Sequence, residues 1–484
     1  MTPSIRVAAI AAFCLITFVI LGFNDLGGYT DAGIHYEFSE EIARFWRWPL
    51  PAATSLAPMS HYPPAAHVVS LLIGWLAGSV IYGIFIVTAI SFLVIYSVLA
   101  ELMRRESAPN TLLACLVFLL VALVCRSGRF LEGNEIVDNF FFAQFAGTAG
   151  LLASFLFLCR LRKRPFVLWL GAAALVTHLV GWIYTISTIE LALSCVMFRF
   201  LDLLSTGSKQ SAVKVMLSSI VLGAAAVIHP TIIGSLGIAA NDGAISISTN
   251  TAIISFLTLL IGTLALTVSP RRSKLINYDT IVALSLGVLA ACSLQTIALG
   301  AFNMGSAYAI KKYFFLVGTL SVLVFACLVV DRAPTRYEEF ARHLPAAFLT
   351  IIMPVFGIAS LLITTAFKPK TPVQEFVRYD REVRDFLSRN SGLDLEGNTV
   401  SWSLKVSPHV NYTIGLGLLR PLGAAIDQHT LLLPNPQLSG AARYILVDAD
   451  RSLLYDESCV VAVGHTLAAV SANCGLPPAP ANQK

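Results

Sequence analysis

Long apolar stretches separated by short polar loops run through the first three quarters of the chain. Crossing a bilayer as a helix takes about 20 apolar residues, and eleven stretches approach or reach that length: 7–23, 81–103, 110–125, 140–159, 165–179, 180–198, 215–229, 251–268, 280–299, 313–330 and 344–366. The pattern predicts a polytopic α-helical membrane protein of about eleven transmembrane helices.

A further apolar stretch, 64–79, is interpreted as a juxtamembrane or re-entrant helix. Counting it as a crossing would place Arg104-Arg105 and 160–164 outside, against the preference of Lys and Arg for the cytoplasmic side. With this choice every basic cluster lies on one side: Arg6, Arg104-Arg105, 160–164, Lys209 with Lys214, Arg271-Arg272 with Lys274, and 332–343. The loops 24–80 and 126–139 and the tail from 367 then lie on the exterior side.

The stretch 7–23 lacks a small-residue cleavage site after it, which favours a retained first helix over a signal peptide. We therefore expect a multi-pass protein of the bacterial plasma (inner) membrane, with its exterior loops facing the periplasm. Composition agrees with a membrane protein, since 56% of the 484 residues are hydrophobic and 13% are charged, against about 25% charged in soluble domains. The net charge of +5 comes from the clusters between spans, and no nucleic-acid partner is expected.

The tail, 367–484, differs in composition from the rest of the chain. An amphipathic helical pattern runs to about Leu387, and strand-like runs follow at 443–448 and 459–463. We expect two domains: a transmembrane domain, 1–366, and a small exterior α/β domain, 367–484. Of nine cysteines, only Cys459 and Cys474 lie in the tail, where an oxidising compartment would permit a disulfide between them.

The first exterior loop carries the most informative polar residues. If 31–46 is helical, Asp31 and His35 lie one turn apart on one face, and Asp31 is a candidate general base at the membrane surface. An apolar stripe on this helix could lie on the membrane: Ile34, Phe38, Ile42 and Phe45. The alternative is that Asp31 caps the helix. The loop closes with His61-Tyr62-Pro63-Pro64, and His61 and Tyr62 are candidate substrate contacts.

Acidic and basic groups mark two more exterior loops. In the second loop, a divalent cation or a sugar hydroxyl could be held by Glu135, Asp138 and Asn139. The alternative is that Asp138 caps the start of the next span, where the helix dipole favours a carboxylate. Tyr308, Lys311 and Lys312 stand on the exterior side, where lysine is disfavoured. A lipid phosphate would explain these lysines, and snorkelling at a helix end is the alternative.

Three further polar residues lie at or within the spans. His229 stands at the outer end of a span, where it could touch a lipid headgroup. His178 and Glu190 could face a cavity, but hydrogen bonding between helices explains them equally well.

The order of these features along the chain resembles the order found in a known superfamily. A first span is followed by a loop bearing Asp31, a stretch ending in Tyr62-Pro63-Pro64, a juxtamembrane helix, a span ending in Arg104-Arg105 and a loop with Asp138. In this order the chain resembles the GT-C superfamily, integral-membrane glycosyltransferases that use polyprenyl-phosphate-linked sugars. The likeness covers about the first 165 residues and the later loop at 308–313.

The resemblance implies roles for particular residues. Asp31 would match the catalytic base, and Lys311 or Lys312 the phosphate contact. The chain is more similar to bacterial arabinofuranosyl and pilin-modifying transferases than to oligosaccharyltransferases, because the WWD signature is absent from its tail. The second loop contains no DxD motif, which leaves a divalent cation, Mg²⁺ or Mn²⁺, open as a cofactor.

We therefore expect a glycosyltransferase that moves a sugar from a polyprenyl-phosphate carrier to an exterior protein or glycan. The acceptor hydroxyl, deprotonated by Asp31, would attack the anomeric carbon while polyprenyl phosphate leaves beside a lysine. The main alternative is a transporter or flippase of lipid-linked sugars. Transporters often show repeated halves and helices broken near the midplane, and the sequence shows no internal repeat.

Overall fold

The computed structural model describes residues 30–51, 56, 59–106, 108–235, 245, 247–268, 275–332, 371–392, 399–420 and 442–476. The predicted spans 7–23 and 344–366 lie outside these residues. The described part is mostly helical, and its first thirteen α-helices are α1 Thr30–Phe45, α2 Ala65–Ala77, α3 Val80–Leu102, α4 Ala108–Cys125, α5 Asn134–Asn139, α6 Phe142–Arg160, α7 Phe166–Gly181, α8 Thr185–Thr206, α9 Lys209–Val227, α10 Pro230–Ser235, α11 Thr249–Thr267, α12 Tyr278–Phe302 and α13 Ala307–Arg332.

Nine of the predicted spans coincide with helices of the described part, α3, α4, α6 to α9 and α11 to α13. Six of these helices are long and apolar enough to cross a membrane: α3, α6, α9, α11, α12 and α13. Helices α4 and α7 are apolar but shorter, and α8 carries Glu190, Arg199 and Asp202. The polytopic helical fold is confirmed, and the total of eleven spans stays a prediction.

One predicted boundary moves in the structure. The sequence pattern joined the fifth and sixth spans directly at 179/180, but α7 ends at Gly181 and α8 begins at Thr185. Residues 182–184 therefore form a link between the two helices. Tyr184, which the pattern placed inside a span, lies in this link with an extended backbone, φ −161°.

The chain folds into two compact units, each built from segments that are separate in the sequence. The first, here called the helical unit, comprises 1–22, 61–66 and 87–367. Helices α8 and α12 pack very closely in it, because a Cβ built on Gly287 would lie 2.4 Å from the Cα of Ser194. Small residues at such a crossing let two membrane helices approach each other, which increases their van der Waals contact.

Several of the basic residues near the predicted cytoplasmic side have structural partners. The buried guanidinium of Arg105 pairs with Asp331 at 2.5 Å and donates a second hydrogen bond to the backbone oxygen of Cys327. Arg162 bridges Asp202 and Asp279, at 2.5 and 2.6 Å. These ion pairs connect helices that are distant in the sequence, so the positive charge on this side also holds the helical unit together.

The second compact unit, here called the mixed unit, comprises 23–60, 67–86 and 368–484. The described residues of its tail contain α14 Val373–Arg389 and α15 Pro408–Ile414. They also form four strands in the order β1-β2-β4-β3: β1 Thr399–Ser401, β2 Tyr444–Asp448, β3 Val460–Val463 and β4 Leu467–Ser471. Strand β1 pairs with β2 in parallel, and the other pairs are antiparallel. The helix and strands predicted for the tail are therefore present.

Residues of the first loop and of the tail share a core in the mixed unit. The hydroxyl of Tyr36 in α1 donates to Asp380 in α14, and Arg384 contacts Glu40 at 2.7 Å. The ring of Tyr36 also packs on Gly417, where a Cβ would lie 1.9 Å from it. Because the first loop joins the tail in this way, a boundary at residue 366 that makes the tail an independent domain stays a prediction.

The predicted disulfide is present in the structure. Cys459 and Cys474 are bonded, with their Cα atoms 6.2 Å apart and a sequence separation of 15. The bridge connects the segment before β3 with the turn after β4, next to the buried core of the sheet, which contains Ile445 and Val470.

Removing this bridge is expected to lower the free energy of unfolding of the sheet by about 3 kcal/mol, because a loop of this length gains that much entropy in the unfolded chain. The measurement is hydrogen exchange of the β2 and β4 amides in the full-length Cys459→Ser/Cys474→Ser variant. Cys125→Ser, which removes an unpaired cysteine, is the matched control. Free-thiol labelling of both tail residues in unreduced, denatured protein would contradict the bridge.

Candidate functional site

Three aromatic rings surround the ammonium group of Lys312 at the start of α13. Its Nζ lies 4.5 Å from the ring centre of Tyr308, 5.0 Å from Phe141 and 5.8 Å from Tyr184. The backbone oxygen of Lys312 accepts a hydrogen bond from Nε2 of Gln144 at 3.0 Å. These three rings are here called the Lys312 cage. They hold the ammonium through cation–π attraction, which is worth roughly 0.5–2 kcal/mol.

Each ring of the cage is presented by the end of a helix on the predicted exterior side. Tyr308 and Lys312 lie one turn apart on α13, so their side chains share a face. Phe141 directly precedes α6, after Phe140 has closed α5 in the left-handed region at φ 59°. Tyr184 stands in the link before α8. Because helix ends converge here, residues far apart in sequence meet around one charge.

The two neighbouring lysines have different surroundings. Nζ of Lys311 donates to the backbone oxygen of Ile245 at 3.2 Å. Nζ of Lys312 lies instead among the three rings of the cage. The sequence proposes either lysine as a phosphate contact, and this role stays a prediction.

The end of the first loop packs beside the cage. The ring of Tyr62 meets Tyr184 edge-on with centres 6.5 Å apart, and the amide of Ala65 donates to the oxygen of Trp182 at 2.9 Å. His61 packs on Gly234, where a Cβ would lie 2.3 Å from the Cβ of His61. Tyr184 thus connects Tyr62 with the Lys312 cage, which also contains Tyr308. His61 lies against α10.

His229 belongs to a packed group next to the link. Its ring centre lies 4.6 Å from that of His178 and 5.0 Å from that of Trp182. Its Nδ1 makes a hydrogen bond with Oγ1 of Thr231 at 2.7 Å, and Thr231 in turn donates to the oxygen of Gly181. With 1% of the residue exposed, His229 supports the link in this structure, and its contact with a headgroup stays a prediction.

The second loop folds its acids inward. Glu135 accepts a hydrogen bond from the amide of Gly133 at 2.7 Å, and its carboxyl interacts with that of Glu132. Arg126 lies beneath them, donating to the hydroxyl of Tyr96 at 2.7 Å. Burial and the neighbouring Glu135 raise the pKa of the Glu132 carboxyl well above its usual value. Glu132, which the sequence pattern did not single out, thus lies buried beside a second carboxyl group, which disfavours its ionised form.

The remaining acid-loop candidates lie on α5. Asp138 and Asn139 stand in its last turn, but their side chains are outside the described residues. Within the described ranges, no group of three or more His, Cys, Asp or Glu is placed to hold a metal ion. The divalent cation that the sequence left open therefore stays a prediction.

The buried state of Glu132 predicts a pH dependence of stability. A carboxyl whose pKa is raised by folding keeps its proton at pH values where the unfolded chain has released it, above about 4.3. Stability therefore falls as the pH rises through that window. Glu132→Gln, which cannot ionise, is expected to lose less thermal stability than wild type between pH 5 and pH 8. Exposed Glu106→Gln is the control, and equal slopes in wild type and Glu132→Gln would mean that folded Glu132 is ionised.

In the mixed unit, the predicted helix of the first loop is confirmed as α1. Asp31 lies half-buried in its first turn, where the helix dipole stabilises a carboxylate. Nδ1 of His35 is 3.0 Å from Nε2 of His67, and the two rings stack. His67 was not selected from the sequence, because it stands in an apolar helix whose polar side only the fold reveals.

The expectation that the apolar stripe of α1 lies on the membrane is wrong for two of its members. Phe38 and Ile42 are buried within the protein. The ring of Phe38 meets His67 edge-on, with centres 4.7 Å apart. The stripe is therefore part of a protein core, and only Phe45 at its end is exposed.

Comparison with known proteins supports the fold. No family model and no curated protein matches the chain. Among solved structures, the chain matches the crystal structure of ArnT from Cupriavidus metallidurans bound to undecaprenyl phosphate, with a TM-score of 0.50 and 13% identity, over 99% of this chain and 100% of that chain. The chain therefore shares the overall fold of that structure.

Proposed function

We propose that this protein transfers a sugar from a polyprenyl-phosphate carrier to an acceptor at the exterior face of the membrane. The observation that carries the proposal is the Lys312 cage, a cation fixed at the predicted exterior end of a helix in a GT-C-like fold. The structure with the matching fold, ArnT, was solved with undecaprenyl phosphate bound, which supports a lipid phosphate as the anion for this site.

Two residues carry the proposed chemistry. Asp31 takes the proton of the acceptor hydroxyl, whose oxygen forms a bond to the anomeric carbon as the bond from that carbon to the phosphate oxygen breaks. The bonding electrons leave with polyprenyl phosphate, and Lys312 stabilises the negative charge that grows there. The products are the glycosylated acceptor, polyprenyl phosphate and protonated Asp31. Asp31 lies in the first turn of α1, where the helix dipole attracts a negative charge.

The finer assignment follows the sequence resemblance. We propose arabinofuranose as the sugar, and a protein such as a pilin, or a cell-surface glycan, as the acceptor. The protein would lie in the inner membrane with Asp31, the Lys312 cage and the tail facing the periplasm, because the basic clusters mark the opposite side as cytoplasmic.

The test separates a transferase from a transporter. Purified protein in detergent is incubated with decaprenyl-phosphoryl-arabinofuranose or undecaprenyl-phosphate-linked hexoses and a cell-envelope extract as acceptor, and released polyprenyl phosphate is measured by mass spectrometry. A transferase cleaves the carrier without needing two membrane sides, whereas a flippase leaves it intact. Movement of uncleaved carrier across vesicles, with no polyprenyl phosphate released in detergent, would contradict the proposal.

A further inference from the structure

The guanidinium group of Arg199 lies buried near the predicted cytoplasmic end of α8, where the residue is 5% exposed. Its central carbon is 3.8 Å from the ring centre of Trp169, 5.7 Å from that of Phe166 and 5.8 Å from that of Phe198. Arg199 and these three rings are here called the Arg199 cluster. Cation–π attraction explains the packing on the rings, but a ring of carbon atoms offers no lone pair to an N–H donor.

Hydrogen bonds satisfy only part of the Arg199 side chain. Its Nη1 donates to Asp202 at 2.9 Å. Its Nε and Nη2 are buried and have no hydrogen-bond partner among the described residues. Asp202 is already shared, because Arg162 pairs with it at 2.5 Å. Since leaving a charged donor buried and unpaired is unfavourable, these two nitrogens indicate a further acceptor next to the Arg199 cluster.

Positive charge is in excess around the Arg199 cluster. The guanidinium carbon of Arg162 lies 5.4 Å from the centre of one of its rings, and Nζ of Lys214 lies 6.0 Å from another. Arg162 bridges Asp202 and Asp279, whereas Lys214 forms no ion pair with a residue that the structure describes. The three cations thus exceed the two carboxylates by one charge. This excess favours a singly charged anion over water as the missing acceptor.

The surroundings of the cluster indicate where such an anion comes from. At the start of α7, Val167 and Leu168 are 77% and 65% exposed, and Val213 next to Lys214 on α9 is also exposed. Helix α9 is long and apolar enough to cross a membrane, so acyl chains cover its exposed apolar side. Arg162 and Lys214 are both partly exposed beside this surface. Basic pockets between membrane helices on the cytoplasmic side bind anionic lipid headgroups.

We propose that Arg162, Arg199 and Lys214 bind the phosphate group of an anionic phospholipid, such as phosphatidylglycerol, where the ends of α7, α8 and α9 meet. Nε and Nη2 of Arg199 donate to the phosphate oxygens, and the single negative charge of the phosphodiester balances the excess of positive charge. Because these two nitrogens are buried, a shift of the side chains that cover them accompanies binding. The site is separate from the Lys312 cage, which lies on the predicted exterior side, so it does not depend on the transferase activity.

The test is photo-crosslinking of the full-length protein in dodecyl maltoside with a phosphatidylglycerol analogue that carries a diazirine in its acyl chain. Adducts are mapped by peptide mass spectrometry, and we expect them on the first turns of α7 and α9. Unlabelled phosphatidylglycerol should compete, and phosphatidylcholine and inorganic phosphate should compete much less. Equal competition by phosphatidylcholine would mean contact with acyl chains only, and equal competition by inorganic phosphate would mean a site for soluble phosphate. Either result would overturn the proposal.

Variants locate the headgroup. Lys214→Gln and Arg199→Gln should each raise the lipid concentration for half-maximal crosslinking by about tenfold, as expected for a lost hydrogen bond to a charged group. Lys214 is partly exposed, so its variant tests the site even where the loss of buried Arg199 unfolds the protein. Arg104→Gln removes a positive charge on the same side, paired there with Glu101, and should change this concentration less than about twofold. Lys312→Gln should leave it unchanged, which separates this site from the proposed donor site. An unchanged concentration in folded Lys214→Gln would refute the phosphate contact.

Discussion

Lys312→Gln is expected to weaken binding of undecaprenyl phosphate by roughly 10- to 150-fold, which corresponds to the loss of about 1.5–3 kcal/mol for a hydrogen bond to a charged group. The Lys312 cage fixes the ammonium in place, so little conformational entropy is lost when a phosphate binds. The measurement is a titration of purified protein in detergent with undecaprenyl phosphate. In the proposed mechanism only the donor carries this phosphate, so the binding affinity for the acceptor should change much less.

Lys311→Gln is the matched control for this experiment, because it removes the same charge from the neighbouring position. Its ammonium donates to the backbone oxygen of Ile245, so we expect donor affinity to stay within a few-fold of wild type. Equal affinities of wild type and Lys312→Gln would show that Lys312 is an ordinary helix-end lysine. Arg126 would not replace it, since its guanidinium is buried with Tyr96. Arg44 and Arg129 would then be tested.

Asp31→Asn is expected to lower the rate of sugar transfer by roughly 10²- to 10⁴-fold, the usual contribution of a general base. The amide has nearly the same shape but cannot accept the acceptor's proton. Its effect on stability should be small, because a carboxylate in the first turn of a helix contributes about 0.3–1 kcal/mol through the dipole. The measurement is polyprenyl phosphate released per minute, with the melting temperature recorded on the same sample.

Glu40→Gln on the same helix serves as the control for loss of a carboxylate, since it breaks the pair with Arg384 and should leave the rate near wild type. Near wild-type turnover in Asp31→Asn would exclude Asp31 as the base. Glu37 is then a poor substitute, because it is buried and lies 3.4 Å from Arg420. Asp25, outside the described residues, and the acids of the second loop would be tested next.

These two predictions differ in how far the sequence supports them. Asp31 was selected from the sequence because a carboxylate one turn from His35 after an apolar span is a local feature. The choice between Lys311 and Lys312 was not available from the sequence, because both stand on the same helix end. Their difference depends on Phe141, Tyr184 and Ile245, which come from three other segments.

The sequence by itself determined the helical membrane architecture, because the length and apolarity of a span are local requirements of the bilayer. It also determined the disulfide of Cys459 and Cys474, since the tail offers only that pair. Only the tertiary structure decided that Phe38 and Ile42 are buried, that α2 turns its polar side inward, and that Glu132 meets Glu135 away from water. Periodicity shows which residues share a face, but the neighbour or solvent that covers this face depends on contacts between segments far apart in the chain.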